Sequence, residues 1–248
     1  RLLWHAELRG EPIEPLSVTF PELTIADAYR IQAVGRRLRT AEGEELRGWK
    51  VGLTSRAMQE MMGVDQPDSG YLLESAVVMS GAQLRAQRFI QPRVEAEIAF
   101  LLKAPLAGPA VTREEVLAAT HAFAPALEII DSRIADWRIG IVDTIADNAS
   151  SGMAVLGDWE PAEDIRAEEI GVTLAVGPEV ERGRGDAVLG HPAEPVAWLA
   201  RTLAAQGEQL QPGDVVLPGS VARAIPIAAG QAACATFDRL GEVSVSLV

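Results

Sequence analysis

Three glutamates on two predicted strands constrain this chain more than any other feature of its sequence. In the segment PRVEAEIAF, residues 92–100, apolar residues alternate with others, as in a β-strand with one buried face. On a strand Glu95 and Glu97 point the same way, whereas on a helix they would diverge. The run 124–131 is a second short apolar segment, and it is interrupted by one carboxylate, Glu128.

A helix is predicted between these two strands. The sequence Thr-Arg-Glu-Glu at 112–115 has the form of a capping box, which opens a helix. Apolar spacing extends this helix through His121 as far as Pro125. The unit is therefore strand, helix, strand, and the two strands that carry carboxylates can lie side by side.

Three carboxylates that converge in a fold need a cation. Two unit charges about 4 Å apart repel by roughly 4 kcal/mol at an effective dielectric constant near 20. Glu95, Glu97 and Glu128 have no Cys or His nearby, so the ligands are hard oxygens. Such oxygens favour Mg²⁺ or Mn²⁺ over Ca²⁺ and suit Lewis-acid catalysis. The alternative is that Glu95 and Glu97 face solvent on an amphipathic edge strand.

Charge and cysteine content exclude several classes of protein. A net charge of −13 and a pI near 4.7 argue against nucleic acid or an anionic membrane surface as the partner. The single cysteine, Cys234, excludes an internal disulfide and a cysteine-based zinc cluster, so we expect a cytoplasmic protein. No apolar run approaches the roughly 20 residues of a membrane span.

The N-terminal third contains two further candidate residues. Residues 1–22 contain three prolines and predict an extended lead-in, and Thr24 then caps a helix that ends near Gly43. Lys50 lies between two glycines on a predicted strand, where it is either a solvated side chain or a ligand contact. Asp68 lies in a predicted loop, 64–71, as a turn former or as a general acid or base.

Residues 131–152 are unusually polar for the middle of a compact chain. Asp136, Asp143 and Asp147 are predicted helix caps or turn formers. Asn148 and Ser150 are candidates for substrate contact, because polar loops after a strand that carries ligands are frequent binding positions.

The last ninety residues indicate a β-rich fold. Alternation at 170–176, a helix from Pro192 to Gly207, and two strands at 232–237 and 243–247 are predicted. Short strands with tight turns favour a curved sheet or partly closed barrel in an α+β fold. We expect one catalytic domain over 1–248, with an N-terminal helical lobe at 1–75 and a β-rich metal-binding core at 76–248.

Several segments, in order and at compatible spacings, resemble a known family. The segments are GWKVGLTSRAMQ (48–59), VDQPDSG (64–70), PRVEAEIAF (92–100), PALEIIDSRI (125–134), VDTIADNASSG (142–152) and LGHPAEPVAWLA (189–200). They resemble the 2-keto-4-pentenoate hydratase and 2-oxo-3-hexenedioate decarboxylase family of the fumarylacetoacetate hydrolase superfamily. The likeness covers roughly residues 12–248.

The resemblance implies a mixed β-roll fold, a homo-oligomer, and a lyase of aromatic meta-cleavage catabolism. By position, Glu95, Glu97 and Glu128 match the family's metal-binding carboxylates, with Mg²⁺ or Mn²⁺ as cofactor. Lys50 matches the lysine of the family's G-x-K-x-G-L-T motif, and Asp68 matches an acidic residue of its hydratase branch.

The resemblance also implies a reaction. We expect water to be added to a 2-hydroxypenta-2,4-dienoate to give a 4-hydroxy-2-oxo acid. Lys50 would help to hold the anionic enolate and to move protons, and Asp68 would deliver or remove a proton near the diene. The alternatives are decarboxylation of 2-oxo-3-hexenedioate, which uses the same metal, and a non-catalytic partner subunit of another pathway enzyme. Ser69 departs from the aromatic residue that hydratases often carry at that position.

Overall fold

A computed structural model describes residues 1–248, apart from the side chains of Ala57 and Met61. Seven α-helices are found in the described chain: α1 (Leu2–Arg9), α2 (Leu16–Thr19), α3 (Ile25–Ala41), α4 (Arg56–Met62), α5 (Arg113–Ala119), α6 (Ile141–Ala146) and α7 (Ala193–Ala205). None of the described helices is long and apolar enough to span a bilayer.

Fourteen strands form two sheets in the described chain. They are β1 (Leu46–Gly52), β2 (Asp68–Leu73), β3 (Val77–Met79), β4 (Ala82–Leu84), β5 (Arg93–Leu102), β6 (Thr120–Ile130), β7 (Ser151–Leu156), β8 (Glu160–Pro161), β9 (Gly171–Val176), β10 (Glu179–Arg184), β11 (Val215–Leu217), β12 (Ile225–Pro226), β13 (Ala232–Phe237) and β14 (Gly241–Leu247). The larger sheet has the order β2-β1-β11-β5-β6-β7-β3, with β12 beside β5 and β8 beside β6. The smaller sheet has the order β10-β9-β13-β14-β4.

The main hydrophobic core contains residues of both sheets and of α7. Phe100 of β5 and Phe123 of β6 pack edge to face within it, with ring centroids 4.8 Å apart. The predicted alternation of β9 is observed, since Val172, Leu174 and Val176 are buried and their neighbours are only partly so. The two long strands that carry the glutamates are therefore held in the interior of the larger sheet.

The predicted helix from residue 112 is shorter than the apolar spacing indicated. The capping box at Thr112 is present, but α5 ends at Ala119 and β6 begins at Thr120. The Thr120 hydroxyl donates to the Val116 carbonyl at 2.8 Å, and a β-branched residue here favours the turn into a strand. His121 consequently lies on a strand, and the strand that carries Glu128 is longer than predicted.

Two predictions for the N-terminal third are wrong. Residues 1–22 are not an extended lead-in, because α1 and α2 form there and the prolines lie between helices; Gly10 ends α1 in the left-handed region at φ 66°. Residues 68–71 are not a loop, because β2 starts at Asp68 and pairs with β1. Helix α3 begins at the predicted Thr24 cap.

The division into an N-terminal lobe and a β-rich core stays a prediction. Helices α1, α2 and α3 pack with α6 through a small apolar cluster that includes Leu16, Ala28 and Ile145. Strands β1 and β2, which also precede residue 76, pair within the larger sheet instead. The N-terminal third therefore contributes both a helical layer and one edge of the sheet.

Candidate metal centre

Strand pairing brings the three glutamates together. Glu95 of β5 lies directly opposite Glu128 of β6 in the antiparallel ladder, and Glu97 follows two positions along on the same face. One carboxylate oxygen from each of the three lies within 4.8 Å of the other two. Glu97 and Glu128 are fully buried, and Glu95 keeps an edge open to solvent. The alternative in which Glu95 and Glu97 face solvent from an edge strand is wrong, because β5 is an interior strand.

The buried carboxylates lack enough hydrogen-bond donors. Among the described residues, Oε1 of Glu97 and both oxygens of Glu128 have no hydrogen-bond partner. Burial, and then repulsion from Glu128 and Glu95, raises the pKa of Glu97 well above its usual range. Burial raises the pKa of Glu95 to about 7, although Lys50 opposes the shift. The three carboxyl groups therefore cannot all ionise at this point of the sheet without added positive charge.

Lys50 supplies the positive charge in this cluster. Its ammonium Nζ lies 3.3 Å from Oε2 of Glu128 and donates to the Ala149 carbonyl at 3.0 Å. Burial lowers the pKa of Lys50, but Glu128, Asp68 and the other two glutamates together raise it above its usual value. Lys50 is 3% exposed, so it is not a solvated side chain on an outer face.

Asp68 lies on the same face of the β1–β2 ladder as Lys50. Gly52 pairs with Asp68, and Lys50 pairs with Gly70. A Cβ atom at Gly52 would stand 2.2 Å from Oδ1 of Asp68 and 3.5 Å from Nζ of Lys50. A side chain at position 52 would therefore displace the Asp68 carboxylate from its place beside the strand.

One hydroxyl fixes the Asp68 carboxylate. Oγ1 of Thr144 in α6 donates to Oδ2 of Asp68 at 3.0 Å. Burial raises the pKa of Asp68, and Lys50 and then Thr144 oppose the shift. Oδ1 has no hydrogen-bond partner among the described residues. A carboxyl group with a raised pKa and one free oxygen can both accept and donate a proton.

The loop formed by residues 148–150 has a strained backbone and binds the ammonium of Lys50. Asn148, Ala149 and Ser150 all have left-handed backbone conformations, with φ of 57°, 50° and 52°. The Asn148 amide bonds the backbone N–H and C=O of Tyr71 in β2, at 2.8 and 3.0 Å. Such conformations persist only where surrounding contacts enforce them, and they are concentrated at functional sites. The loop aims the Ala149 carbonyl at Lys50, and Ser150 follows directly as a buried residue.

A buried ion pair maintains that loop. Nε of Arg133 lies 2.5 Å from Oδ1 of Asp147, and the Arg133 guanidinium also donates to the carbonyls of Asp131, Asp147 and Ser151. Asp147 was predicted to be a helix cap or turn former, and it is the C-cap residue of α6, while its carboxylate pairs with Arg133. Asp143 does cap α6, by accepting from the N–H of Gly140 at 2.9 Å.

A second backbone contact orients Glu97. The N–H of Gly219 donates to Oε2 of Glu97 at 2.6 Å. Gly219 has φ 112°, and a Cβ there would stand 1.9 Å from Oγ1 of Thr54. This contact leaves the other oxygen of Glu97 directed to its neighbours, as a metal ligand requires.

The donor set fits a hard divalent cation. One oxygen of each of the three carboxylates lies within 4.8 Å of the other two, three of the six carboxylate oxygens are buried with no hydrogen-bond partner among the described residues, and one ammonium, that of Lys50, lies beside them. Oxygen ligands without His or Cys suit Mg²⁺ or Mn²⁺. Glu95, Glu97 and Glu128 are the residues that could hold the ion.

Sequence reasoning identified Lys50, Asp68 and the three glutamates, and the structure brings all five into one cluster. Ser150 lies in the adjoining loop, and its role stays a prediction. No pattern in the sequence marked Thr144, Arg133 or Gly219 as part of the site. Thr144 and Arg133 lie within segments that carry the family resemblance, but periodicity gives no signal for a contact between residues so far apart in the chain.

Comparisons with known proteins show which family model and which proteins this chain resembles. A family model described as fumarylacetoacetate (FAA) hydrolase C-terminal matches residues 45–248. The chain is 46% identical to a 2-hydroxyhexa-2,4-dienoate hydratase of Comamonas testosteroni, across 98% of this chain and 94% of that protein. It is 39% identical to a 2-keto-4-pentenoate hydratase of Paraburkholderia xenovorans (strain LB400), across 97% of this chain and 90% of that protein.

A solved structure has the same fold as this chain. The 4-oxalocrotonate decarboxylase of Pseudomonas putida G7, complexed with magnesium and adipate, superposes with a TM-score of 0.95 at 36% identity. The match covers 100% of this chain and 96% of that one. These comparisons confirm the resemblance and the fold class predicted from the sequence.

Proposed function

This chain belongs to the fumarylacetoacetate hydrolase family, and from its site we propose that it is a metal-dependent hydratase of 2-hydroxy-2,4-dienoates. The observation that carries the proposal is the nearly full-length similarity to a 2-hydroxyhexa-2,4-dienoate hydratase, joined to a buried carboxylate cluster with Lys50 and Asp68 beside it. The reaction adds water to a 2-hydroxypenta-2,4-dienoate type of substrate and gives a 4-hydroxy-2-oxo acid. The enzyme is then a hydro-lyase of a meta-cleavage pathway for aromatic compounds.

Glu95, Glu97 and Glu128 hold the divalent cation, Mg²⁺ or Mn²⁺. When bound, the ion supplies a Lewis acid for the carboxylate and 2-oxo oxygens of the substrate, an effect worth several kcal/mol. Gly219 keeps Glu97 in place through its N–H. The bound ion would be a partner for the buried carboxylate oxygens that accept no hydrogen bond.

Lys50 provides a fixed positive charge beside the substrate oxygen that becomes anionic. Its ammonium has three N–H donors, of which one is bound to Ala149, and its nitrogen forms an ion pair with Glu128 at 3.3 Å. A remaining N–H can donate to the enolate oxygen. The surrounding carboxylates raise the pKa of Lys50 and so favour the ammonium form, which stabilises negative charge, and the same group can help to move protons.

Asp68 moves the protons at the far part of the diene. Loss of the 2-hydroxyl proton and protonation at C5 convert the dienol to an α,β-unsaturated ketone; water then gives its hydroxyl to C4, and C3 takes a proton. Asp68 has a free buried oxygen and a raised pKa, which suit a group that must give and take protons. Ser150 is a candidate contact for the substrate carboxylate.

A direct assay tests the proposed function. Purified protein with Mg²⁺ should remove the ultraviolet absorbance of 2-hydroxypenta-2,4-dienoate, and NMR should identify 4-hydroxy-2-oxopentanoate. The proposal fails if the dienoate is left unchanged while the protein binds the ion. Chelation of the ion should stop the reaction, and its return should restore it.

Decarboxylation of 2-oxo-3-hexenedioate is the second candidate. It is favoured by the TM-score of 0.95 with a 4-oxalocrotonate decarboxylase. The two activities differ in mass balance, because only the decarboxylase releases CO₂ from the six-carbon dioate. Release of CO₂ without hydration of the five-carbon dienoate would replace the first proposal by the second.

Replacement of Asp68 by Asn should lower kcat by roughly 10²- to 10⁴-fold, because a positioned acid or base is worth about that factor. Binding of Mn²⁺, followed by electron paramagnetic resonance, should be unchanged. Asp65→Asn is the matched control, since Asp65 is exposed in the segment between α4 and β2, three residues before Asp68. A parental kcat in Asp68→Asn would remove Asp68 from the mechanism.

We also propose a cytoplasmic homo-oligomer that receives its substrate from an earlier enzyme of the same pathway. The acidic chain has one cysteine, Cys234, which fits a reducing compartment. Light scattering of the purified protein measures the oligomeric state directly.

A further inference from the structure

Gln32 of α3 is a buried polar residue that joins two separate segments of the site. It is 8% exposed, and its side-chain Nε2 donates to the Ser69 carbonyl at 2.7 Å and to the Ile145 carbonyl at 2.9 Å. A primary amide has two N–H donors, so both are used. One side chain of the N-terminal helices thus bonds the backbone of β2 and the backbone of α6.

The two carbonyls belong to the residues that follow Asp68 and Thr144. These two side chains are bonded to each other, since Oγ1 of Thr144 donates to Oδ2 of Asp68 at 3.0 Å. The separation between β2 and α6 sets the length of that bond. Gln32 bridges the same two segments one residue further along each, so it fixes this separation.

Packing alone does not require an amide at this position. The neighbouring contacts of α3 are apolar and include Ala28, Ile145 and Ala146. Burying an amide among them is costly unless it is hydrogen-bonded. Tyr29, one turn earlier on α3, lies beside Ser69 and Asp68, and burial raises the pKa of its phenol to about 12. The face of α3 that carries Tyr29 and Gln32 therefore packs against the segment of β2 that contains Asp68 and Ser69.

We propose that Gln32 is a positioning residue that holds Asp68 in its working orientation by tying β2 to α6. The proposal rests on the proton-transfer role of Asp68 given under the proposed function. The free oxygen of Asp68 is directed by the bond that Thr144 makes to the other oxygen. Loosening the tie lets the Asp68–Thr144 bond lengthen, and the carboxyl group moves away from the carbon that it serves.

A double-mutant cycle tests the proposal. Gln32→Met removes both donors and keeps the length of the side chain. It should lower kcat by about 10²-fold, the cost of a misplacement near 1 Å, while KM and the Mn²⁺ affinity stay at parental values. In an Asp68→Asn background the same change should lower kcat no further, because the group that Gln32 positions is already disabled. Gln206→Met, at the exposed end of α7, is the matched control and should have no effect.

The alternatives give different results. An equal loss of kcat in both backgrounds means that Gln32 only supports the fold, and a parental kcat in Gln32→Met means that it has no role; either result overturns the proposal. If Gln32→Met does not fold, Gln32→His, which keeps one N–H donor, is used in the same cycle and should show a smaller loss confined to proteins that contain Asp68.

Failure of the proposed function is recognised separately, because the parental enzyme would then leave the dienoate unchanged. In that event the four proteins are compared by NMR for uptake of solvent deuterium at C3 of 2-oxopentanoate. This exchange needs proton transfer but no hydration. The same non-additive pattern is expected, and additive losses overturn the role of Gln32.

Discussion

Glu97→Gln is expected to lower metal-dependent turnover by about 10³-fold or more, while the metal-free protein is at least as stable as the parent. The loss follows from removing one of three anionic ligands, and a factor of 10³ corresponds to roughly 4 kcal/mol of transition-state stabilisation. The retained stability has a separate cause. Glu97 is a fully buried carboxyl group near two others, and a neutral amide of the same shape at that position needs neither a buried charge nor a bound proton.

Two measurements check this prediction together. Thermal unfolding in EDTA should give a Tm for Glu97→Gln equal to or above that of the parent, and added Mn²⁺ should raise the Tm of the parent but not that of Glu97→Gln. Glu22→Gln, at an exposed position, is the control and should follow the parent in both measurements. A variant with parental turnover and a parental shift with Mn²⁺ would exclude Glu97 as a ligand.

Asp147→Asn is expected to destabilise the protein by about 3–5 kcal/mol, because it leaves the charge of Arg133 buried without a partner. Arg133 is 7% exposed, and its pKa is raised by Asp147 although burial lowers it, so the guanidinium stays charged. Denaturant unfolding gives the free energy of unfolding. Activity should fall as well, since the pair maintains the loop whose Ala149 carbonyl binds Lys50.

An exposed pair in the same region supplies the control. Asp136 lies 3.8 Å from Arg138, and both side chains are at least half exposed. Asp136→Asn should therefore change the free energy of unfolding by less than about 1 kcal/mol. Equal effects of the two substitutions would mean that the Arg133–Asp147 pair contributes no more than a surface contact.

Local pattern was sufficient to predict the carboxylate cluster. Alternation in β5 fixed the common face of Glu95 and Glu97, and one apolar run located Glu128 on the next long strand. The helix cap at Thr24 and the hairpin of β13 and β14 follow from residues close together in the chain. Such features depend on short-range preferences, and sequence displays them directly.

Contacts between distant segments could not be predicted in this way. Gln32 bonds residues 37 and 113 positions away, and Thr144 bonds Asp68 across 76 positions. The strand β2 was interpreted as a loop because Pro67, Asp68 and Gly70 are turn formers in isolation. Pairing with β1 and burial against the site override that preference, as tertiary context often does for strands.

The three metal-binding carboxylates and Asp68 are held in place by different parts of the fold. The carboxylates stand on adjoining interior strands, so backbone hydrogen bonds fix their spacing. Asp68 stands on the edge strand β2, secured by one helix and one loop from elsewhere in the chain. Substitutions around Asp68 would therefore leave the spacing of the three carboxylates unchanged, so a single carboxylate cluster can be combined with different surroundings at this edge of the sheet.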